Sequence, residues 1–340
     1  MKKRKQIIFS FDYELFFGFE SGTVQKTLIT PTNLLLDCLD SVKAKGNFFV
    51  DYLMFENLEK LSDERAKTDL NMLKNQIKDI VRRGHRIELH LHPHWIDAKY
   101  NGDGTWDYSN YTHYSLYSLT DEERRRMFKD GTSYLNNLAR EIEPDYNICA
   151  FRAGGWTIQP FGLLKESFRE NGIVIDSSVM YGVCKDNRFS KYDFRDAPDK
   201  EIYRFSEDVC KEDKNGDFVE VPITMLSKPF WLRILDRLIS DSGEDRKCIT
   251  DGTHQRNDLP SDPEIKLRLW ESRKACAALS ARTPVVEFLN MLLSPKRIIT
   301  FIDHPKDFTM SALKVIKMCM KGGESITYNM IIKNSKNYEV

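Results

Sequence analysis

The amino-acid sequence predicts an α/β protein built on a parallel sheet or barrel, and three observations predict it. Short apolar runs rich in β-branched and aromatic residues alternate with segments of helical periodicity, glycines punctuate the changes, and acidic, histidine or arginine residues stand directly after the runs. Runs that are apolar at nearly every residue belong to strands covered on both faces, as in parallel sheets. Polar residues just beyond such strands sit at their carboxyl ends, where barrels and open α/β sheets place their sites.

Ile7 to Phe11 reads as the first buried strand and runs directly into Asp12 and Glu14. Thr30-Pro31 opens a helix, with Thr30 as N-cap and Pro31 in the first turn. Gly46 ends it, and Asn47 to Asp51 forms a second strand finishing in a carboxylate. Leu73, Ile77, Ile80 and Val81 share one face of a helix over 70–83, Gly84 stops it, and Arg86 to His90 begins a third strand. The unit repeats as helix 121–142, strand 148–152, helix 162–170, a stop at Gly172 and strand 173–175. Arg297 to Ile302 is the last strand, followed by Asp303-His304-Pro305. Two regions interrupt the pattern: 101–117 reads as a long loop, and 185–217 as a hairpin leading into a strand from Phe218. With no internal repeat, linker or low-complexity tract, residues 1–340 are expected to form one domain.

Composition narrows the class of function. Of 340 residues 41% are hydrophobic and 30% charged, which excludes the disordered and membrane classes. Basic and acidic residues number 51 each, so no charge excess draws the chain to nucleic acid or an anionic bilayer. The seven cysteines are odd in number and scattered, without a C-x-x-C pair, which is no disulfide framework. The basic N-terminus precedes only a short apolar run, where a signal peptide needs about 7–15 such residues, and nothing approaches the ~18 of a membrane span. A cytoplasmic protein with reduced thiols is the expectation.

The sharpest chemical signal is the segment from Gly84 to Trp95, which holds four of the seven histidines. Imidazole is the commonest protein ligand for zinc and similar ions. His90 and His94, four apart, would share a face of one helical turn, although Pro93 fits only the first turn of a helix. His90 and His92, two apart, would share a face if the strand continued. A polar loop with satisfied histidines is the plain alternative. Asp12 and Glu14 share a strand face while Tyr13 points away, so one carboxylate could bind a metal and the other take a proton; a surface acidic pair is the alternative. Arg152, before small residues, suits a bidentate ion pair that orients a carboxylate, and His304 suits a general acid. Trp95, Trp106, Tyr108 and Trp156 suit stacking on sugar faces.

Taken in order, these segments resemble the polysaccharide deacetylase family, the NodB-homology proteins of carbohydrate esterase family four. Phe9 to Glu14 resembles its acidic first motif, Gly46 to Val50 its second strand, and Gly84 to His94 its His-x-x-x-His segment. Phe151 to Trp156 resembles the arginine motif, Ile175 to Ser178 the Asp-containing motif, and Phe301 to His304 the terminal histidine motif, so the match runs over about 7–308. The resemblance implies a distorted, incomplete (β/α) barrel and metal-dependent removal of an N-acetyl group from a sugar. It implies Asp12 as base, Glu14, His90 and His94 as ligands to one divalent ion, zinc by expectation, and Arg152 as the orienter of Asp12. His304 is implied as acid with Asp176 holding it, and Tyr13, Trp95 and Trp156 as substrate contacts. Two positions depart from the pattern: Tyr13 replaces the second of two adjacent acids, which passes ligation to Glu14, and Gly154 stands where proline is usual. The expected substrate is an N-acetylated sugar or glycan precursor. Two other readings remain, a hydrolase of C–N bonds in cyclic imides or ureides on the same site, and a non-catalytic glycan-binding relative.

Overall fold

The computed structural model describes residues 4–17, 20–186, 189–227, 229–239, 247–252, 274–280 and 282–334. Its main sheet is built from β1 (Lys5–Tyr13), β2 (Gly46–Asp51), β3 (Arg86–Leu91), β4 (Ala150–Ala153), β5 (Ile175–Asp176), β6 (Tyr203–Phe205), β7 (Phe218–Glu220), β8 (Ile298–Asp303) and β9 (Gly323–Ser325). The spatial order is β6-β7-β5-β4-β3-β2-β1-β8, with β9 beside the first residues of β1. Every pairing is parallel except the β6–β7 hairpin. Beyond β7 the chain turns back to β8: Thr224 N–H donates to the Thr300 carbonyl at 3.0 Å, and Thr300 N–H to Thr224 Oγ1 at 2.9 Å. The sheet therefore curls into a barrel whose last gap is spanned by irregular chain, the incomplete (β/α) barrel expected from the sequence.

Strand alternation sorts the side chains into two layers. Phe9, Phe11 and Tyr13 of β1 face outward into a core shared with the helices Thr30–Ser41, Glu64–Arg82 and Met310–Gly322. Inside the barrel Ile8, Phe49, Ala150, Ile175, Val219, Ile298 and Tyr328 form a second apolar cluster. Continuing along the same inward face toward the carboxyl ends, β1 presents Ser10 and Asp12, β2 Asp51, β3 His90, and β4 Arg152. The apolar floor and the polar mouth are thus successive layers of one surface.

Gly84 and Gly172, both at positive φ, end their helices as expected. Other elements differ. The helix from Thr30 continues a π-helical turn over Val24–Ile29, so Thr23, accepting from Lys26 N–H, is the cap, and Thr30 is already inside. The expected loop after the histidines holds a two-stranded ribbon, Lys99–Tyr100 with Trp106–Asp107, and buries Trp106 and Tyr108 against Trp95. Within the expected hairpin over 185–217, residues 187 and 188 lie outside the described residues.

His85, just ahead of β3, ties the sheet to its helices. Its Nδ1 accepts from Gly46 N–H at 3.1 Å, and burial, opposed by Asp40, pushes its pKa down to about 4. The folded protein therefore carries this imidazole neutral at a pH where the unfolded chain protonates it. Stability should be full above about pH 6.5 and fall by about 2–3 kcal/mol as pH drops toward 4. Urea titrations across that window check this, and His85→Gln should flatten the slope.

Candidate active site

The inward-facing polar residues converge at the carboxyl ends of β1, β3, β4 and β8. Glu14 Oε2 lies 2.6 Å from His92 Nε2 and 3.1 Å from His90 Nε2. His90 Nδ1 donates to the Arg152 carbonyl at 2.6 Å, which leaves its Nε2 lone pair facing Glu14. The three ligand atoms lie within 4.8 Å of one another. Zinc bonds of about 2.0–2.2 Å to histidine and carboxylate span such a set, and a cation between the three atoms would replace the contacts that the two imidazoles otherwise make to Glu14. These residues fit a divalent metal ion.

Asp12 stands one strand step from Glu14. Arg152 Nη1 donates to Asp12 Oδ1 at 2.6 Å, and its other nitrogens donate to the Ser177 carbonyl at 2.7 Å and Ser10 Oγ at 2.9 Å. The guanidinium lies over the Phe49 ring at 4.2 Å and is fully buried. His304, at the end of β8 and half-buried, brings Nε2 to 3.5 Å from Asp12 Oδ2 and 3.7 Å from Glu14 Oε1. On the far side of Glu14, Lys306 Nζ donates to Oε1 at 2.7 Å and to the Leu15 carbonyl at 3.2 Å.

Charge and burial oppose one another throughout. Burial disfavours the Asp12 carboxylate, but Arg152, then His90 and His304, outweigh it and hold its pKa below the ordinary value. At Glu14 burial is outweighed by Lys306 and His92, and the carboxyl sits well below its ordinary value. Burial is overcome at His90 by Glu14 and Asp12, which push it up to about 9, and prevails at His92, which falls to about 4. His304 is held below its ordinary value by burial despite Asp12. Asp51, on β2 beside His90, accepts from Trp95 Nε1 at 2.6 Å and is pushed up to about 7 by burial.

No protein-family model matches the chain, and no curated protein matches it. Among solved structures it is similar to a Mycobacterium smegmatis protein classed provisionally as a polysaccharide deacetylase, at 16% identity and a TM-score of 0.48, covering 100% of this chain and 93% of that one. The solved structures it resembles include polysaccharide deacetylases. They include the catalytic domain of a peptidoglycan N-acetylglucosamine deacetylase from Eubacterium rectale, at 12% identity and TM-score 0.37, covering 96% and 91% of the two chains. They also include a pseudoenzyme of carbohydrate esterase family four from Bacillus anthracis, at 9% identity and TM-score 0.40, covering 98% and 66%.

The structure brings together Asp12, Glu14, His90, Arg152 and His304, and separates the other expected residues from them. His94 is not in the ligand group; His92 takes that position. The residue before a proline is confined to extended backbone, and His92, at φ −117° and ψ 94°, prolongs the alternation of β3 so that its ring follows that of His90. Pro93 then starts a 3-10 turn that carries His94 to Phe17 and Tyr108. Gly154 completes the seat: a Cβ there would lie 2.5 Å from the Leu91 carbonyl oxygen and 2.7 Å from His92 Nδ1.

Asp176 does not hold His304. Ile175 faces the barrel interior, so alternation turns Asp176 to the opposite side, where Ser178 N–H and Oγ donate to it and Glu220 lies against it. Burial and the Asp176 charge raise Glu220 well above its ordinary value. The Arg152–Asp12 contact runs through one nitrogen rather than two. Tyr13 and Trp95 are not substrate contacts: both are fully buried, Tyr13 donating to Gln76 Oε1 at 2.6 Å on the helix side of β1. Trp156 alone of the expected contacts is partly exposed, at φ +59° and against Tyr192. Lys306 is the residue that the sequence reading missed; it lies on a 3-10 turn after His304, where no periodicity forecasts which way a side chain points.

Proposed function

We propose that the protein is a divalent-metal-dependent hydrolase that removes the acetyl group from an N-acetylated sugar or glycan precursor. The observation that carries this reading is the juxtaposition of three converging ligand atoms, on Glu14, His90 and His92, with a second carboxylate, Asp12, that a buried arginine keeps ionised. The ordered motifs shared with polysaccharide deacetylases support the same chemistry.

A bound divalent ion would polarise the acetyl carbonyl and acidify the attacking water. Asp12 accepts the water proton on Oδ2, because Oδ1 is engaged by Arg152. As the bond from water oxygen to carbonyl carbon forms and the C–N bond breaks, His304, whose Nε2 lies 3.5 Å from Asp12 Oδ2, takes that proton from Asp12 and passes it to the departing amine. Acetate and the free amino sugar leave. Phe17, Tyr114 and Trp156, all partly exposed, offer ring faces to a pyranose.

The test is acetate release from N-acetylglucosamine oligomers by protein purified without a histidine tag, with bound metal quantified by mass spectrometry. Activity that stops on chelation and returns with zinc or cobalt supports the proposal. Turnover of a cyclic ureide in place of the oligomers would move the site to other C–N bonds, and oligomer binding with bound metal but no turnover would make the protein a glycan binder.

A further inference from the structure

The mechanism above leaves one buried charge in the site without a task. Lys306 is nearly inaccessible and spends its ammonium on Glu14 Oε1 and the Leu15 carbonyl, with the Phe17 ring 4.5 Å away. Glu14 is thereby divided: Oε1 belongs to the lysine, and Oε2 alone faces the two imidazoles. Resting on the metal-hydrolase reading, we infer that Lys306 is a positioning residue that restricts Glu14 to one ligand oxygen and weakens the site's hold on its divalent ion.

The charge inventory sets the direction. Two carboxylates, Asp12 and Glu14, are matched by two cations, Arg152 and Lys306, each at hydrogen-bond distance from its partner. A divalent ion entering this site meets two carboxylates that are each already paired with a cation. An isolated pair of carboxylates would hold it far more strongly, since buried charges are poorly screened. Lysine also draws electron density toward Oε1 and leaves Oε2 a weaker donor. Against these, the lysine saves part of the entropy of ordering one glutamate side chain, a smaller effect. One carboxylate oxygen in place of two leaves ligand positions for substrate and water, as an open catalytic site requires.

The experiment is zinc titration by calorimetry on wild type, Lys306→Met and Lys306→Gln. Glutamine keeps a donor for Oε1 without the charge, so it preserves the test should the methionine variant fail to fold. Both neutral variants are expected to bind zinc at least tenfold more tightly, and Lys306→Arg to stay within threefold of wild type. The cobalt-loaded methionine variant, in which Oε1 has lost its donor, should also show weaker visible bands than wild type as Glu14 becomes bidentate and coordination rises. Equal or weaker zinc affinity in the neutral variants overturns the inference while leaving the metal site intact; no zinc uptake by wild type overturns the site itself.

Discussion

Alanine at His92 should abolish metal retention, whereas alanine at His94 should keep the ion. His92 Nε2 is one of three converging ligand atoms, and its loss leaves two. Removing even an outer partner of a ligand typically costs about 10–100-fold in affinity, so losing a ligand should exceed that, and turnover should fall with it. His94 packs among Phe17, Trp95, Tyr108 and Tyr114, so its alanine variant should lower the melting temperature by loss of packing while zinc still binds. Metal analysis of the two purified variants decides the matter, and zinc kept by His92→Ala but lost from His94→Ala would return the ligand role to His94.

Asp12→Asn should leave the ion in place and reduce turnover by roughly 10²–10⁴, the usual worth of a general base. The variant removes the carboxylate hydrogen-bonded to the buried Arg152, and breaking such a pair commonly destabilises by about 3–5 kcal/mol. Here the cost should fall toward the lower end, because Ser177 and Ser10 still accept from the guanidinium. Turnover therefore has to be compared at a temperature where both proteins are folded. Loss of zinc from Asp12→Asn together with its retention in Glu14→Gln would exchange the roles of the two carboxylates.

Much of this site could be read before the fold was known, and the reasons are local. β1 is apolar at nearly every position until Asp12, so its burial and the shared face of Asp12 and Glu14 follow from a period of two. The choice between His92 and His94 was also written locally, in Pro93: a prolyl ring forces extended backbone on the residue before it, which favours the two-apart pair over the four-apart one. Asp176 shows the opposite case. Its strand is only two residues long, too short for the sequence to display an alternation, so its outward direction follows only once the fold has placed Ile175 in the interior. Trp95 and Trp106 have the composition of a sugar platform, yet they pack edge to face on one another at 4.9 Å. Whether an aromatic ring is wall or core depends on what the distant chain lays over it, which no nearby residue reports.

The close approach of His92 to Gly154 has a consequence for how such a site changes through descent. The hydrogen of a glycine on one strand end and the ring of a histidine on its neighbour occupy a single allotment of space. Position 154 cannot drift alone: a side chain there must displace both the imidazole and the Leu91 carbonyl, and retreat of the imidazole to a later position lifts only part of the constraint that keeps 154 bare. Lineages bearing proline there are thus expected to carry their second histidine elsewhere, and lineages bearing glycine to keep it two residues after the first. The two positions would then be inherited as a pair, so that the residue following Ala153 announces, from another part of the chain, which histidine meets the metal.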